Sequence, residues 1–364
     1  MKLIAKIITF FFLISLIISY LASYIHPADF WILPFFGLAY PIIALCSLLL
    51  LVAWAMAKSR MFFIVLFALV IGGKIHFRTL SLPIGLETKQ DQSSSLKIIS
   101  YNVRLFGLYQ WDEQEALKNR DSIFSFLQHE NADVICFQEF YQQDKPTRFS
   151  TRDTLKTILN TPYCQERYSH KLSGRQNFGI AMLSKYPMIS RGEITFTDPK
   201  NTDNNYCIFG DIVKGKDTFR VFNVHLQSIK LNKDDYSNLI ATEGKMTEQK
   251  STLNLLVKKL SIAYPKRTGQ ALKVIEHMND SPYPIIICGD FNDTPMSYVY
   301  NQFNSLYTDA FRNSKSGIGV TYAGKIPAGR IDYIFHSPNL HSANFNIQKN
   351  VFSDHKAISC EVWK

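Results

Sequence analysis

The stretch 285-IIICGDFND-293 runs four apolar residues and a glycine directly into Asp290, Phe291, Asn292 and Asp293. Pro284 precedes the run and Thr294-Pro295 follows the polar cluster, so the apolar part has the length and punctuation of a strand buried on both faces. Side chains at the C-terminal edge of such a strand leave the core and face a crevice, where open sheets carry their ligands. A polar turn is the plainer alternative, because Asp and Asn favour turns. The rest of the chain decides between the two.

Working outward, the same pattern recurs. KIISYNV (97–103), DVICFQEF (133–140), FGIAMLS (178–184), RVFNVHL (220–226), RIDYIFHS (330–337) and HKAISCEVW (355–363) read as further strands. Residues 112–130 carry Leu117, Ile123, Phe124 and Leu127 at helical spacing, and 246–279 reads as helix on either side of Pro265. Strands alternating with helices from residue 96 onward indicate one α/β domain. Nearly every unexpected polar residue falls at a strand end: Asn102, Glu139, His225, Asp290, Asn292, Asp332, Asp354 and His355. Singly, each has a structural explanation as a turn residue, a surface charge or a satisfied sheet histidine. Together they form a set of carboxylates, amides and imidazoles suited to a hard divalent cation and to phosphate-ester hydrolysis. Such chemistry needs charge neutralisation, an oriented water and donors for the phosphate oxygens.

The first 79 residues have a different character. Residues 7–25 contain no charge and nearly match the roughly 20 needed to cross a bilayer. Residues 30–57 are also uncharged, interrupted by Pro34 and Pro41, which membrane helices tolerate. Residues 61–73 are shorter, and span only if the helix continues to about Phe77 with Lys74 reaching the interface. A signal peptide does not fit the first segment, because a second long apolar run follows instead of polar mature sequence. Lys2, Lys6, Lys58 and Arg60 against the single Asp29 place both ends of the first hairpin in the cytoplasm. A crossing at 61–77 then carries the large domain out, whereas a segment that turns back leaves it inside; Lys74 and Arg78 weigh against the crossing. The expected location is a bacterial inner membrane with a periplasmic catalytic domain. The expected organisation is a membrane anchor over 1–79, a flexible polar linker over 80–95 and a catalytic domain over 96–364.

Half of the net charge of +10 belongs to the anchor, so the remainder is only mildly basic and does not single out nucleic acid. Lys258, Lys259, Lys266, Arg267 and Lys273 could form a phosphate-facing patch, with a solvated helix face as the plainer reading. Cys136 and Cys288 sit in apolar runs as buried hydrophobes, and no CxxC spacing points to zinc.

The ordered blocks YNV, FQE, GIAMLSKYPM, NVHL, GDFN, RIDYIF and SDH resemble the endonuclease/exonuclease/phosphatase superfamily, over about residues 96–364. The resemblance implies a four-layer α/β/β/α sandwich with two packed mixed sheets and the site at one edge. It further implies Mg²⁺ as cofactor, with Mn²⁺ as a possible substitute. Glu139 would be the principal metal ligand, with Asn102 beside it and Asp354 nearby. Asp290 would orient or deprotonate the attacking water, and Asn292 would hold a phosphate oxygen. His225 would donate to the transition state, and His355 would act as base or phosphate-side imidazole with Asp332 orienting it. The late strand reads PAGRIDYIF without the Cys-Asp-Arg triplet of the inositol-phosphatase branch, which argues against that branch. The expected activity is metal-dependent hydrolysis of a phosphodiester, either nucleic acid or phospholipid headgroup. A phosphomonoesterase and an inactive binding module of the same fold are the alternatives. No protein partner follows from the sequence.

Overall fold

The computed structural model describes residues 2–82, 95–108, 113–144, 147, 150–196, 205–229, 246–324 and 329–364. Most of the expected linker lies outside these residues. The chain divides into two compact units: Met1–Ser81 with Ser228–Gly269 and Asp293–Gln302, and Leu82–Gln227 with Gln270–Asn292 and Phe303–Lys364.

The second unit is built from two six-stranded mixed sheets. Its strands are β1 (Leu96–Asn102), β2 (Val134–Gln143), β3 (Tyr163–Leu172), β4 (Gln176–Ser184), β5 (Met188–Thr195), β6 (Tyr206–Lys214), β7 (Asp217–His225), β8 (Ile285–Asp290), β9 (Thr308–Asp309), β10 (Asp332–His336), β11 (His341–Ile347) and β12 (Ile358–Trp363). One sheet runs β11-β12-β1-β2-β4-β3 and the other β5-β6-β7-β8-β10-β9. Each has one parallel pair near its centre, β1 with β2 and β7 with β8, and antiparallel pairs elsewhere. Ile98, Val134, Met182, Ile208, Val221, Ile286, Ile334 and Val362 fill the space between the sheets. Burying each such side chain contributes on the order of 1.5–3 kcal/mol. Helix α5 (Glu113–Glu130) covers the outer face of the first sheet through Ile123, Phe124 and Leu127. On the second sheet, the last turns of the long helix Met246–Asn279 bring His277 against Phe209.

The expected strands at 97–103, 133–140, 178–184, 220–226, 284–289 and 330–337 all form, within a few residues. The last starts later than expected, at Ile358, and His355 makes only an isolated bridge to Tyr322. The 246–279 helix passes through Pro265 without a break.

Within the first unit, α1 (Lys2–Leu21) and α2 (Leu33–Met56) are long and apolar enough to cross a membrane. Their outward residues, such as Ile7, Phe11, Ile42 and Leu49, are exposed and apolar, a surface suited to lipid. α3 (Met61–Ile71) and α4 (Gly73–Thr79) meet at an angle of 67°. Gly72 lies between them, and a Cβ there would overlap the Tyr20 hydroxyl and the His76 ring. Trp54 Nε1 donates to Thr9 Oγ1 at 2.9 Å, fastening α1 to α2. Arg267, a member of the basic cluster at 258–273, is buried and ion-pairs with Asp293 at 3.2 Å, so it belongs neither to a phosphate-facing patch nor to a solvated helix face.

Candidate active site

Strand register assembles the site. His225 pairs with Asp290 across β7 and β8, and Asp290 with Asp332 across β8 and β10. In the other sheet Asn102, the last residue of β1, pairs with Gln138, the neighbour of Glu139. Asn102, His225, Asp290 and Asp332 are strand ends, as the apolar-to-polar transitions in the sequence require, whereas Gln138 and Glu139 lie in the middle of β2, which continues to Gln143.

Two backbone irregularities aim the acids. Between Phe137 and Phe140 the β2–β4 register shifts, and Glu139 in that bulge has φ of +49°. Bulges re-aim side chains beside active sites, and a left-handed Glu is held only where its surroundings enforce it. Before Asp290, Gly289 has φ of +150°, and a Cβ there would overlap the Val224 carbonyl. Only glycine lets β8 approach β7 this closely, which explains the Gly in GDFN.

Asp290 Oδ2 is the focus of the cluster. Asn102 Nδ2 donates to it at 3.0 Å, and the Nε2 atoms of His225 and His355 each lie 3.6 Å away. At 3.6 Å neither imidazole makes a direct hydrogen bond to it. His225 Nε2 is buried and has no hydrogen-bond partner among the described residues, so it faces the cluster without being satisfied there. The other oxygen, Oδ1, accepts from the Asn292 backbone N–H at 2.8 Å. Asn292 itself has φ of +53°, and its Nδ2 donates to the Leu226 carbonyl at 3.0 Å.

His355 Nδ1 lies 3.1 and 3.0 Å from the two oxygens of Asp332, the pairing expected from the sequence. That contact assigns the proton to Nδ1 and turns Nε2 toward Asp290. Burial alone pushes the imidazole down, but Asp332, Asp290 and Asp354 more than reverse it, leaving His355 raised to about 10. Burial raises the Asp332 carboxyl and His355 opposes that rise. The imidazole is therefore a proton donor at neutral pH.

Glu139 pairs with no Lys or Arg among the described residues. Burial first, and then Asp354 and Asp290, raise its carboxyl above the usual range, with His225 and His355 opposing. A desolvated acid among acids is relieved by a proton or by a cation, so an oxygen-rich divalent site at Glu139 fits the donors present. Asn102 presents its nitrogen, not its oxygen, to this acid: Nδ2 lies 3.4 Å from Glu139 Oε1, and Oδ1 accepts from the Arg104 N–H at 3.1 Å. Asp354 is ion-paired with Arg104 at 3.4 Å. Asp290, Asp332 and His355 also bring ligand atoms within 4.8 Å of one another. The His355–Asp332 hydrogen bonds account for most of that closeness, so Glu139 is the stronger candidate for a resident cation.

Several supporting residues carry no obvious sequence signal. Gln138 Nε2 donates to Asn223 Oδ1 at 2.6 Å, and Asn223 Nδ2 donates to the Phe137 and Ala181 carbonyls, bolting the sheets together beneath the site. Thr321 Oγ1 accepts from the N–H groups of Ile331 and Asp332. Tyr322 packs edge-on against the His355 ring at 5.1 Å. Ser353 Oγ donates to the Asn102 carbonyl at 2.9 Å, tying the SDH loop to β1. Gln138 and Asn223 sit inside the blocks FQE and NVHL, where their polarity in an apolar run was the available clue.

The endonuclease/exonuclease/phosphatase family model matches residues 99–355, and the chain belongs to that family, whose members are phosphoester hydrolases. A second model, described only as a domain of unknown function, matches residues 2–79. No curated protein matches the chain. Among solved structures, a family member from Bacteroides thetaiotaomicron is 17% identical with a TM-score of 0.53, covering 75% of this chain and 98% of its own. A mannosyl-6-phosphatase from Bacteroides thetaiotaomicron VPI-5482 is 16% identical with a TM-score of 0.51, covering 74% and 100%. The catalytic domain of human Nocturnin, solved with bound sulfate, is 16% identical with a TM-score of 0.51, covering 74% and 93%. At these identities the likeness concerns the fold.

Proposed function

We propose that the chain is a membrane-anchored, Mg²⁺-dependent phosphodiesterase. The observation that carries this reading is the convergence of His225, His355 and Asn102 on Asp290 Oδ2, beside a half-buried Glu139 that pairs with no Lys or Arg among the described residues. Glu139, with Asp354 near it, would hold the cation, which neutralises charge building on the phosphoryl oxygens. Mn²⁺ would serve in the same oxygen site. Asn102 positions the Glu139 and Asp290 carboxylates by donating to both.

Asp290 takes a proton from the attacking water as its oxygen bonds to phosphorus. The P–O bond to the leaving group breaks, and that oxygen leaves as an alcohol after taking a proton from the His355 imidazolium. Asp332 keeps His355 oriented and charged through Nδ1. His225 Nε2 and the Asn292 side chain serve the non-bridging oxygens. Diester and monoester cleavage share these groups, so substrate choice decides between them. Purified full-length protein assayed with Mg²⁺ or EDTA should cleave bis-p-nitrophenyl phosphate faster than p-nitrophenyl phosphate. The reverse preference identifies a phosphomonoesterase, and metal-independent turnover overturns the reading.

The domain partition expected from the sequence, with an anchor over 1–79 and a catalytic domain from 96, belongs to this proposal. So does a third crossing by residues 61–77. Supporting it, Tyr20 Oη donates to the Ala68 carbonyl at 3.3 Å, and Tyr20 and Tyr40 both meet His76. These contacts sit at the hairpin end remote from Lys2, Lys6, Lys58 and Arg60, which supports reading the bent α3–α4 pair as one broken span. A periplasmic catalytic domain follows from the positive-inside rule. Nucleic acid and phospholipid headgroups are the substrate classes to test there.

A further inference from the structure

The first unit contains a contact that a tether would not need. Residues 293–302, which continue the chain directly from Asn292, pack on the tip of the α1–α2 hairpin. Met296 is buried within the anchor's own apolar cluster, together with Leu16, Tyr20 and Tyr40. Ser23 Oγ donates to the Met296 carbonyl at 2.9 Å, and His26 packs edge-on against Tyr298 at 5.3 Å. At Gly37 a Cβ would stand 3.2 Å from both the Met296 carbonyl oxygen and the Ala22 Cβ, tighter than ordinary packing, so a methyl group there would make its neighbours give by a few tenths of an ångström and a branched side chain would displace them. Asp293 begins this segment. Its carboxylate is fixed by Arg267 at 3.2 Å and accepts from the Thr294 N–H at 3.0 Å.

We propose that the hairpin tip is a positioning element for hydrolysis: Ser23, His26 and Gly37 hold Met296 and Tyr298, and thereby set the register of Asp293 and of Asn292, one peptide bond away. The inference rests on the hydrolase reading of Asp290 and Asn292. Its physical basis is that the left-handed Asn292 is constrained on one side by Asp290 Oδ1 and Leu226, and on the other by what holds residue 293. Sub-ångström displacement of a phosphate-binding amide lowers kcat more than KM, because the aligned geometry matters most in the transition state. The anchor is thus part of the working enzyme as well as its means of reaching a membrane.

Two measurements on the full chain in detergent test this. A site-specific protease sequence is inserted at Gln90, and cleavage is verified on a denaturing gel. The severed C-terminal fragment should remain bound to the N-terminal anchor, and release of the wild-type fragment overturns the inference. Gly37→Ala, Gly37→Val and Ser23→Ala are then compared on bis-p-nitrophenyl phosphate. Gly37→Val should lower kcat about tenfold or more with KM within twofold, Ser23→Ala should lower it less, and Gly37→Ala should stay within a few-fold of wild type. Full kcat in a folded Gly37→Val protein overturns the inference, as does a loss expressed in KM alone. If Gly37→Val fails to fold, the kcat of Ser23→Ala and the retention of its severed fragment decide in its place. Failure of the hydrolase reading is distinguishable, because it appears as absence of turnover by the uncleaved wild type.

Discussion

Replacing Asp332 by Asn tests the proton chemistry of the site with little change in shape. His355 Nδ1 sits 3.0–3.1 Å from both Asp332 oxygens, and the imidazole is raised from 6.5 to about 10. That gap corresponds to roughly 5 kcal/mol in favour of the imidazolium, an upper figure because the burial that raises the Asp332 carboxyl returns part of it. A group whose folded value is raised contributes stability that is whole below its unfolded value and is lost as pH climbs through the folded one. In EDTA-treated protein the wild type should therefore exceed Asp332→Asn by about 2–3 kcal/mol near pH 6. The difference in melting temperature should close as pH rises from about 6.5 to about 10. Turnover should fall about 10²–10⁴-fold at neutral pH, because burial remains while the largest of the charges that oppose it is gone, which depletes the His355 imidazolium and frees the ring from its orienting partner. His355→Ala should cost a similar factor and the double variant little more, since the two groups act as one. A pH-independent gap in melting temperature, or losses that multiply in the double variant, would refute the pairing as described.

Glu139→Gln should abolish metal-dependent turnover and Mg²⁺ binding by calorimetry. The metal-free protein should be as stable as wild type or slightly more so at neutral pH, because the replaced carboxyl is raised by burial and its charge opposes folding; retained Mg²⁺ affinity contradicts the ligand assignment. Gly289→Ala should leave little folded protein, since its Cβ would overlap the Val224 carbonyl at a φ that disfavours side chains; normal yield and melting temperature would remove the packing argument. Alkaline phosphatase fused after Ser95 should be active in cells and green fluorescent protein fused there should be dark, and the opposite pair of results would place the domain in the cytoplasm.

The apolar runs that end in acids and amides were legible because β1, β2, β4, β7, β8 and β10 are buried strands, which need near-continuous apolar sequence and so expose any polar residue at their ends. The order of those blocks along the chain pointed to the family, which the match over residues 99–355 bears out, and supplied the eight candidate site positions. The strands that escaped notice include the edges β3, β5, β9 and β11, whose outer faces tolerate polar residues and whose pattern therefore resembles loop. β6 was also missed, although it lies inside its sheet; its Gly210 and Asp211 interrupt the apolar run, and Asp211 is buried only because Arg220 pairs with it at 2.6 Å. The burial of Arg267 was not legible for a related reason, since an arginine's partner can lie far along the chain, as Asp293 does. What tertiary structure alone decided is geometry. Register sets His225, Asp290 and Asp332 side by side, a bulge swings Glu139 to φ of +49°, and Thr321 and Tyr322 come back to support Asp332 and His355. A sequence states which groups are available at strand ends; which atom of Asn102 faces an acid, and which residues hold Asn292 in place, depend on contacts between segments that local pattern does not encode.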